Sequence, residues 1–203
     1  MGWQFKLRRI ADDWYGRHYE VGGAWWLEYH DYDGNGTYEA FAVCGPVFGA
    51  GFDTDSYNIL NAVLYISSTG EITVIDKDFQ DVQFNVGNGI NEIDYYIEYG
   101  GKGYYIPHFR SGSITWQYMY GVRDDKPYDT GISGHIGLDE DGDLSYYPNS
   151  GYGQCPDCGY GESGKSAKQE HKHILFYNET SDEFEVAVKY PSGEIVKYEE
   201  LFS

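Results

Sequence analysis

Apolar and polar residues alternate one by one in short runs along most of this chain, and that period of two points to β-strands. Phe184, Val186 and Val188 alternate with Glu183, Glu185 and Ala187, and Trp3, Phe5 and Leu7 alternate with Gln4, Lys6 and Arg8. Runs of similar make-up, rich in Tyr, Ile and Val, occupy residues 25–30, 37–44, 58–67, 71–76, 82–86, 93–99, 103–109, 114–122, 135–139, 144–147, 173–177 and 194–201. Glycine, asparagine and aspartate bound them, as turn residues bound strands. Hairpin tips are expected at Asp33–Gly36, Ser68–Glu71, Asp141–Asp143 and Pro191–Glu194. No fixed period separates the tips, so they mark turn chemistry and not a repeat.

The expected fold is therefore all-β, an antiparallel sandwich or barrel formed by one domain over residues 1–203. Helix signals are poor. The best, Ser166–Leu175, has good helix formers but no apolar stripe. Residues 148–166 hold almost no core-forming side chain, so they are expected to form a long Gly-rich loop.

Charge narrows the range of partners. Lys and Arg number 14 and Asp and Glu 33, a formal charge of −19. Such a surface repels phosphate backbones, which argues against nucleic acid as a partner. The first 17 residues depart from this balance, with Lys6, Arg8, Arg9 and Arg17 against Asp12 and Asp13. That segment could dock on the acidic face of a neighbouring copy or serve as an ordinary first strand.

No apolar run approaches the ~18 residues of a membrane span. Residues 1–9 lack the apolar stretch of a secretory leader, so export is expected by another route, such as packaging or lysis.

Aromatic content bears on role. The chain holds 22 Tyr, 10 Phe and 5 Trp beside 27 Gly. Tyr and Trp suit half-buried sheet faces and contacts, with one end dry and the other wet. Sugar-binding modules, virion and tail proteins and other extracellular assembly proteins share this composition. The expected function is a non-enzymatic structural or attachment component of a larger assembly. The chain would be a homo-oligomer or sit against neighbouring subunits, in a virion or on an extracellular surface. A carbohydrate-binding module, with Trp25, Trp26 or Trp116 as a stacking platform, is the second reading. A glycan-processing enzyme with two facing carboxylates is the third. No GxSxG elbow or HExxH pair is present, and no catalytic residue is assigned.

Two motifs carry metal chemistry. Cys155-Pro-Asp-Cys158-Gly159 resembles the knuckle of zinc-ribbon and rubredoxin-like sites, in which two thiolates on a tight turn grip one metal. His171 and His173 follow closely. On a strand both imidazoles would share a face and close a structural Zn2+ site; on a helix only one could join. A disulfide between the two cysteines is the alternative.

Asp31-Tyr-Asp33-Gly-Asn35-Gly36-Thr37-Tyr-Glu39 resembles the first half of an EF-hand-type Ca2+ loop, but Ala42 stands where the bidentate Glu belongs. Asp139, Asp141 and Asp143 repeat the same spacing of acids. Either loop could take Ca2+ with a carboxylate from elsewhere, and either could be a plain hairpin tip. Gly159–Ser166 matches the spacing of a phosphate-binding Gly-rich loop, but no strand precedes it and Glu162 would put a negative charge in the cradle.

Overall fold

The computed structural model describes residues 24–44, 62–77, 83–84, 95–111, 114–148 and 171–201. The described chain is almost entirely antiparallel β-sheet, as the alternation requires. It divides into two compact units, Met1–Asp129 and Thr130–Ser203.

The first unit is an antiparallel sandwich. Strands β1 (Ala24–His30), β2 (Glu39–Cys44), β3 (Ala62–Ile66) and β4 (Ile72–Lys77) pair in sequence order as a four-stranded sheet, with β1 at one edge among the described strands. Strands β5 (Gln83–Phe84), β6 (Tyr96–Tyr99), β7 (Lys102–Tyr105), β8 (His108–Ser111) and β9 (Ile114–Arg123) belong to a second sheet. The ten-residue β9 pairs with β7 near its end and with β8 near its start. Among the described strands neither sheet closes on itself into a barrel.

The sequence read 103–109 as one strand, but Pro107 divides it into β7 and β8. Proline has no N–H to give the ladder. The chain is instead tied there by Ile106 N–H donating to the Tyr95 carbonyl at 2.9 Å.

Between the sheets lies a core built from rings. Tyr32, Phe41, Tyr65, Tyr95, Tyr105, Phe109 and Tyr120 are buried together with Val43, Val63 and Val122. Phe41 on β2 stacks on Tyr105 on β7. A fully buried aromatic or aliphatic side chain contributes about 1.5–3 kcal/mol, so this cluster is the unit's main source of stability. Burial also holds the Tyr105 phenol far above its ordinary pKa, so it stays neutral.

The second unit is a meander. Strand β10 (Lys126–Leu138) begins in the first unit and runs on into the second. Then follow β11 (Leu144–Pro148), β12 (Lys172–Asn178), β13 (Glu183–Lys189) and β14 (Ile195–Lys197), each paired with its predecessor. Ile136, Leu144, Tyr146, Ile174, Leu175, Ala187 and Val188 are its buried side chains. Gly134 leaves room for the Tyr146 ring; a Cβ there would meet Tyr146 Cε2 at 2.7 Å.

Three expectations change in this unit. The weak helix signal over 166–175 gives way to strand from Lys172 onward, because His173 and Leu175 are buried as rungs beside Val188 and Val186. The last expected strand, 194–201, ends at Lys197. It continues as a four-residue helix, α1 (Tyr198–Leu201), whose Glu199 and Glu200 suit a helix start. Strand β10 begins well before the expected 135. All four expected hairpin tips do join consecutive paired strands. The expected long loop 148–166 lies outside the described residues apart from Pro148, which ends β11.

Candidate metal centre

Residues 31–38 carry the chain from β1 to β2 and gather acidic oxygens over the ring core. The aspartates fold the loop by accepting from its backbone. Asp31 Oδ1 accepts from Asn35 N–H at 3.0 Å, and Asp31 Oδ2 accepts from Gly36 N–H at 2.9 Å. Asp33 Oδ1 accepts from Asn35 N–H at 3.2 Å, and Asn35 Oδ1 accepts from Thr37 N–H at 2.7 Å. Short side chains closing on backbone two to five residues ahead are what Asp and Asn do in turns.

Glu39, the first residue of β2, turns its side chain inward and is fully buried. Tyr32 N–H donates to its Oε2 at 3.2 Å, and the Thr37 hydroxyl lies 3.0 Å from its Oε1. Oxygens of Asp31, Asp33 and Glu39 all fall within 4.8 Å of one another. Burial pushes the Glu39 carboxyl above its ordinary pKa. The contacts from Tyr32 and Thr37 oppose this, and the Asp33 and Asp125 charges add to it.

Asp125, in the β9–β10 turn, reaches the same loop. Its N–H donates to Asp33 Oδ2 at 3.2 Å, and its Oδ1 accepts from the buried Tyr65 hydroxyl at 2.9 Å. The loop motif runs to Glu39, at position 9 of the Ca2+-loop pattern, but the sequence assigned no ligand role to Glu39 and did not point to Asp125 at all. Asp125 is 92 residues from Asp33 and carries no local signal.

The second acidic loop differs in charge balance. Asp139 Oδ1 accepts from the N–H groups of Asp141 and Asp143 at 2.9 and 3.0 Å. The Lys172 ammonium bonds Asp139 Oδ2 at 2.9 Å and also Asp141. The Lys189 ammonium bonds both oxygens of Asp143 at 2.8 and 2.7 Å. Lys172 accordingly holds the Asp139 carboxyl below the usual carboxylate range. These acids already have cations. Two open pockets flank them, one lined by Lys172, Lys189, His171 and Tyr190, the other by Asp139, Lys172, His173 and Tyr147.

Of the zinc set, Cys155 and Cys158 lie outside the described residues. His171 directly precedes β12 and His173 lies on it, with ring centroids 5.1 Å apart. His173 is buried against Tyr198, whose hydroxyl meets Nδ1, and burial followed by the His171 charge lowers its pKa to about 4. His173 is therefore a neutral imidazole at pH 7, the form that ligates metal.

The expected tryptophan platform is only partly in view. Trp25 and Trp26 belong to β1, but their rings lie outside what is described. Trp116 is half-buried and stacks on Phe109 with centroids 6.2 Å apart. Among the described residues, Tyr29 and Tyr38 form an exposed aromatic pair, with centroids 5.3 Å apart and planes at 32°.

No family model matches the chain, and no curated protein or solved structure is similar enough to count as a relative. No described helix is long and apolar enough to cross a membrane.

Proposed function

We propose that the protein is a non-enzymatic structural or attachment component of a larger assembly, and that the outer face of β1 is a contact surface. One observation carries this reading. Leu27, Tyr29 and Tyr38 are 49%, 61% and 53% exposed, on and beside β1 of the four-stranded sheet. Leu27 and Tyr29 are two apart and point the same way, while Glu28 and His30 turn inward. Aromatic side chains grouped on an exposed face are typical of the centre of a protein contact. A virion, a tail or an extracellular surface is the setting that the aromatic- and Gly-rich composition supports.

The reading includes a structural Zn2+ held by Cys155, Cys158, His171 and His173. Its support is the cysteine spacing together with two neighbouring imidazoles, one of them kept neutral by burial. The Asp139–Asp143 carboxylates lend the enzyme reading little, because they are tied to lysines and make poor acid–base partners.

Radical footprinting of the full chain in its native assembly and after dissociation tests the contact. Tyr29 and Tyr38 should oxidise several-fold less in the assembly. Equal oxidation in both states would contradict the proposal.

A second reading, carbohydrate binding, is favoured by the Tyr29–Tyr38 pair, since two exposed rings side by side can stack on a sugar face. Tyr29→Ala and Tyr38→Ala should then abolish binding on a glycan array. An array with no binding by the parent chain would end that reading.

A further inference from the structure

We propose that Tyr29 and Tyr38 form a modification site, at which one-electron oxidation joins their phenols into a dityrosine link within one chain. The link does not depend on the contact reading, because both rings belong to the same chain.

The pairing follows from the ladder. Tyr29 on β1 stands opposite Ala40 on β2, so their side chains leave the same face of the sheet. Tyr38 comes two residues before Ala40 and is the diagonal neighbour of Tyr29 on that face. The two rings meet there with centroids 5.3 Å apart and planes only 32° from parallel. Both are more than half exposed.

Exposure and orientation together set this pair apart from three other tyrosine pairs of the first unit. Tyr32 and Tyr96 meet edge-on, with planes at 74°, and Tyr32 is fully buried. Tyr95 and Tyr105 lie 6.2 Å apart and are both buried. Tyr118 and Tyr120 lie 6.4 Å apart, and Tyr120 is fully buried. A buried phenol is screened from an oxidant and from the water that would take its proton. An edge-on pair does not bring its ortho carbons side by side.

The step balances with hydrogen peroxide as the oxidant and a haem peroxidase as the one-electron carrier. Each phenol gives up one electron and its hydroxyl proton, leaving two phenoxyl radicals. The radicals couple through one ortho carbon each, forming a carbon–carbon bond. The hydrogens on those carbons then pass through solvent to the phenol oxygens. The chain loses two hydrogen atoms in all, and one peroxide becomes two waters. Two rings already held side by side couple as a unimolecular event, which favours this link over one between chains. The link would tie β1 to the segment entering β2, a hardening suited to a structural component.

The test is oxidation of the dissociated, dilute full chain by a haem peroxidase with hydrogen peroxide, with Tyr29→Phe, Tyr38→Phe and Tyr118→Phe beside it. Dityrosine fluorescence should appear in chain that keeps its single-chain mass on a denaturing gel. Mass mapping should find the Tyr29 and Tyr38 peptides joined and lighter by two hydrogens. Tyr29→Phe and Tyr38→Phe should each lower the intrachain yield about ten-fold or more, since the held partner is lost. Tyr118→Phe should leave it unchanged. Phenylalanine keeps the ring at these exposed positions, so the fold is retained. No intrachain dityrosine in the parent chain would overturn the proposal. So would a main cross-link between other tyrosines or between chains, or a yield unchanged by Tyr38→Phe. Footprinting of the assembly does not depend on either result, so the contact reading and this one fail separately.

Discussion

Phe41 and Tyr105 stack face to face from opposite sheets of the first unit, with centroids 5.2 Å apart and planes within 9° of parallel. Phe41 also meets Tyr32 and Tyr65 edge-on, at 4.8 and 5.3 Å. It is thus the ring on which three tyrosines converge, and Tyr32 and Tyr65 are the two that connect to the acidic loop.

Phe41→Ala should therefore destabilise the first unit by about 3–5 kcal/mol, the range for emptying a buried phenylalanine site. Urea unfolding followed by tyrosine fluorescence measures it. A loss below about 1 kcal/mol would mean the rings do not pack as described.

Gly103→Ala tests a closer fit. An added Cβ would lie 2.7 Å from Tyr96 Cε2 and 3.1 Å from Tyr32 Cδ1. Overpacking of this kind costs about 1–3 kcal/mol. Adding Tyr96→Ala should recover part of the loss attributable to the clash, which a double-mutant cycle isolates. Strict additivity would show that the two positions do not touch.

These packing details were not legible in the sequence, although the fold class was. Alternation placed β12 and β13, and Gly beside acids marked the four tips, because strand period and turn chemistry are local properties. Strand β10 was expected only from 135, and Pro127, Gly131 and Gly134 interrupt the apolar alternation ahead of that point. Gly134 is there because Tyr146 needs its space, a reason that lies in another strand. The site divides the same way. Asp31, Asp33 and Asn35 were legible from spacing, whereas the role of Glu39 follows from burial and that of Asp125 from tertiary folding. For Asp139, Asp141 and Asp143, spacing matched but charge did not. Lys172 and Lys189 reach them from other strands and supply the cations.

Acid should loosen the edge of the second unit at β12–β14. The Lys197 ammonium and then the Asn178 amide hold the Glu185 carboxyl below its ordinary pKa. A depressed carboxyl contributes stability that is present above the unfolded-state value and is lost as pH falls through the folded one. NMR titration should place Glu185 below an ordinary glutamate, and Lys197→Met should raise it. Salt should raise it too, because the pair is partly exposed. A midpoint unchanged by Lys197→Met would refute the ion pair.

Elemental analysis should find one Zn2+ per chain, lost in Cys158→Ser and in His173→Ala. The buried strand ladder of β12 and β13 should survive removal of the metal, because its register rests on Ile174, Leu175, Ala187 and Val188. Absence of zinc from protein purified without chelators, or two sulfurs found joined, would replace the metal with a plain turn or a disulfide.

The central claim is that the chain works as part of something larger, and the mass of the particle that carries it in its native source tests this most directly. Light scattering on the undissociated material should place the chain in a species well above its own 23.1 kDa. Leu27→Asp with Tyr29→Asp should release it as a folded monomer. Recovery of the unaltered chain at 23.1 kDa alone, at every concentration tested, would contradict the account.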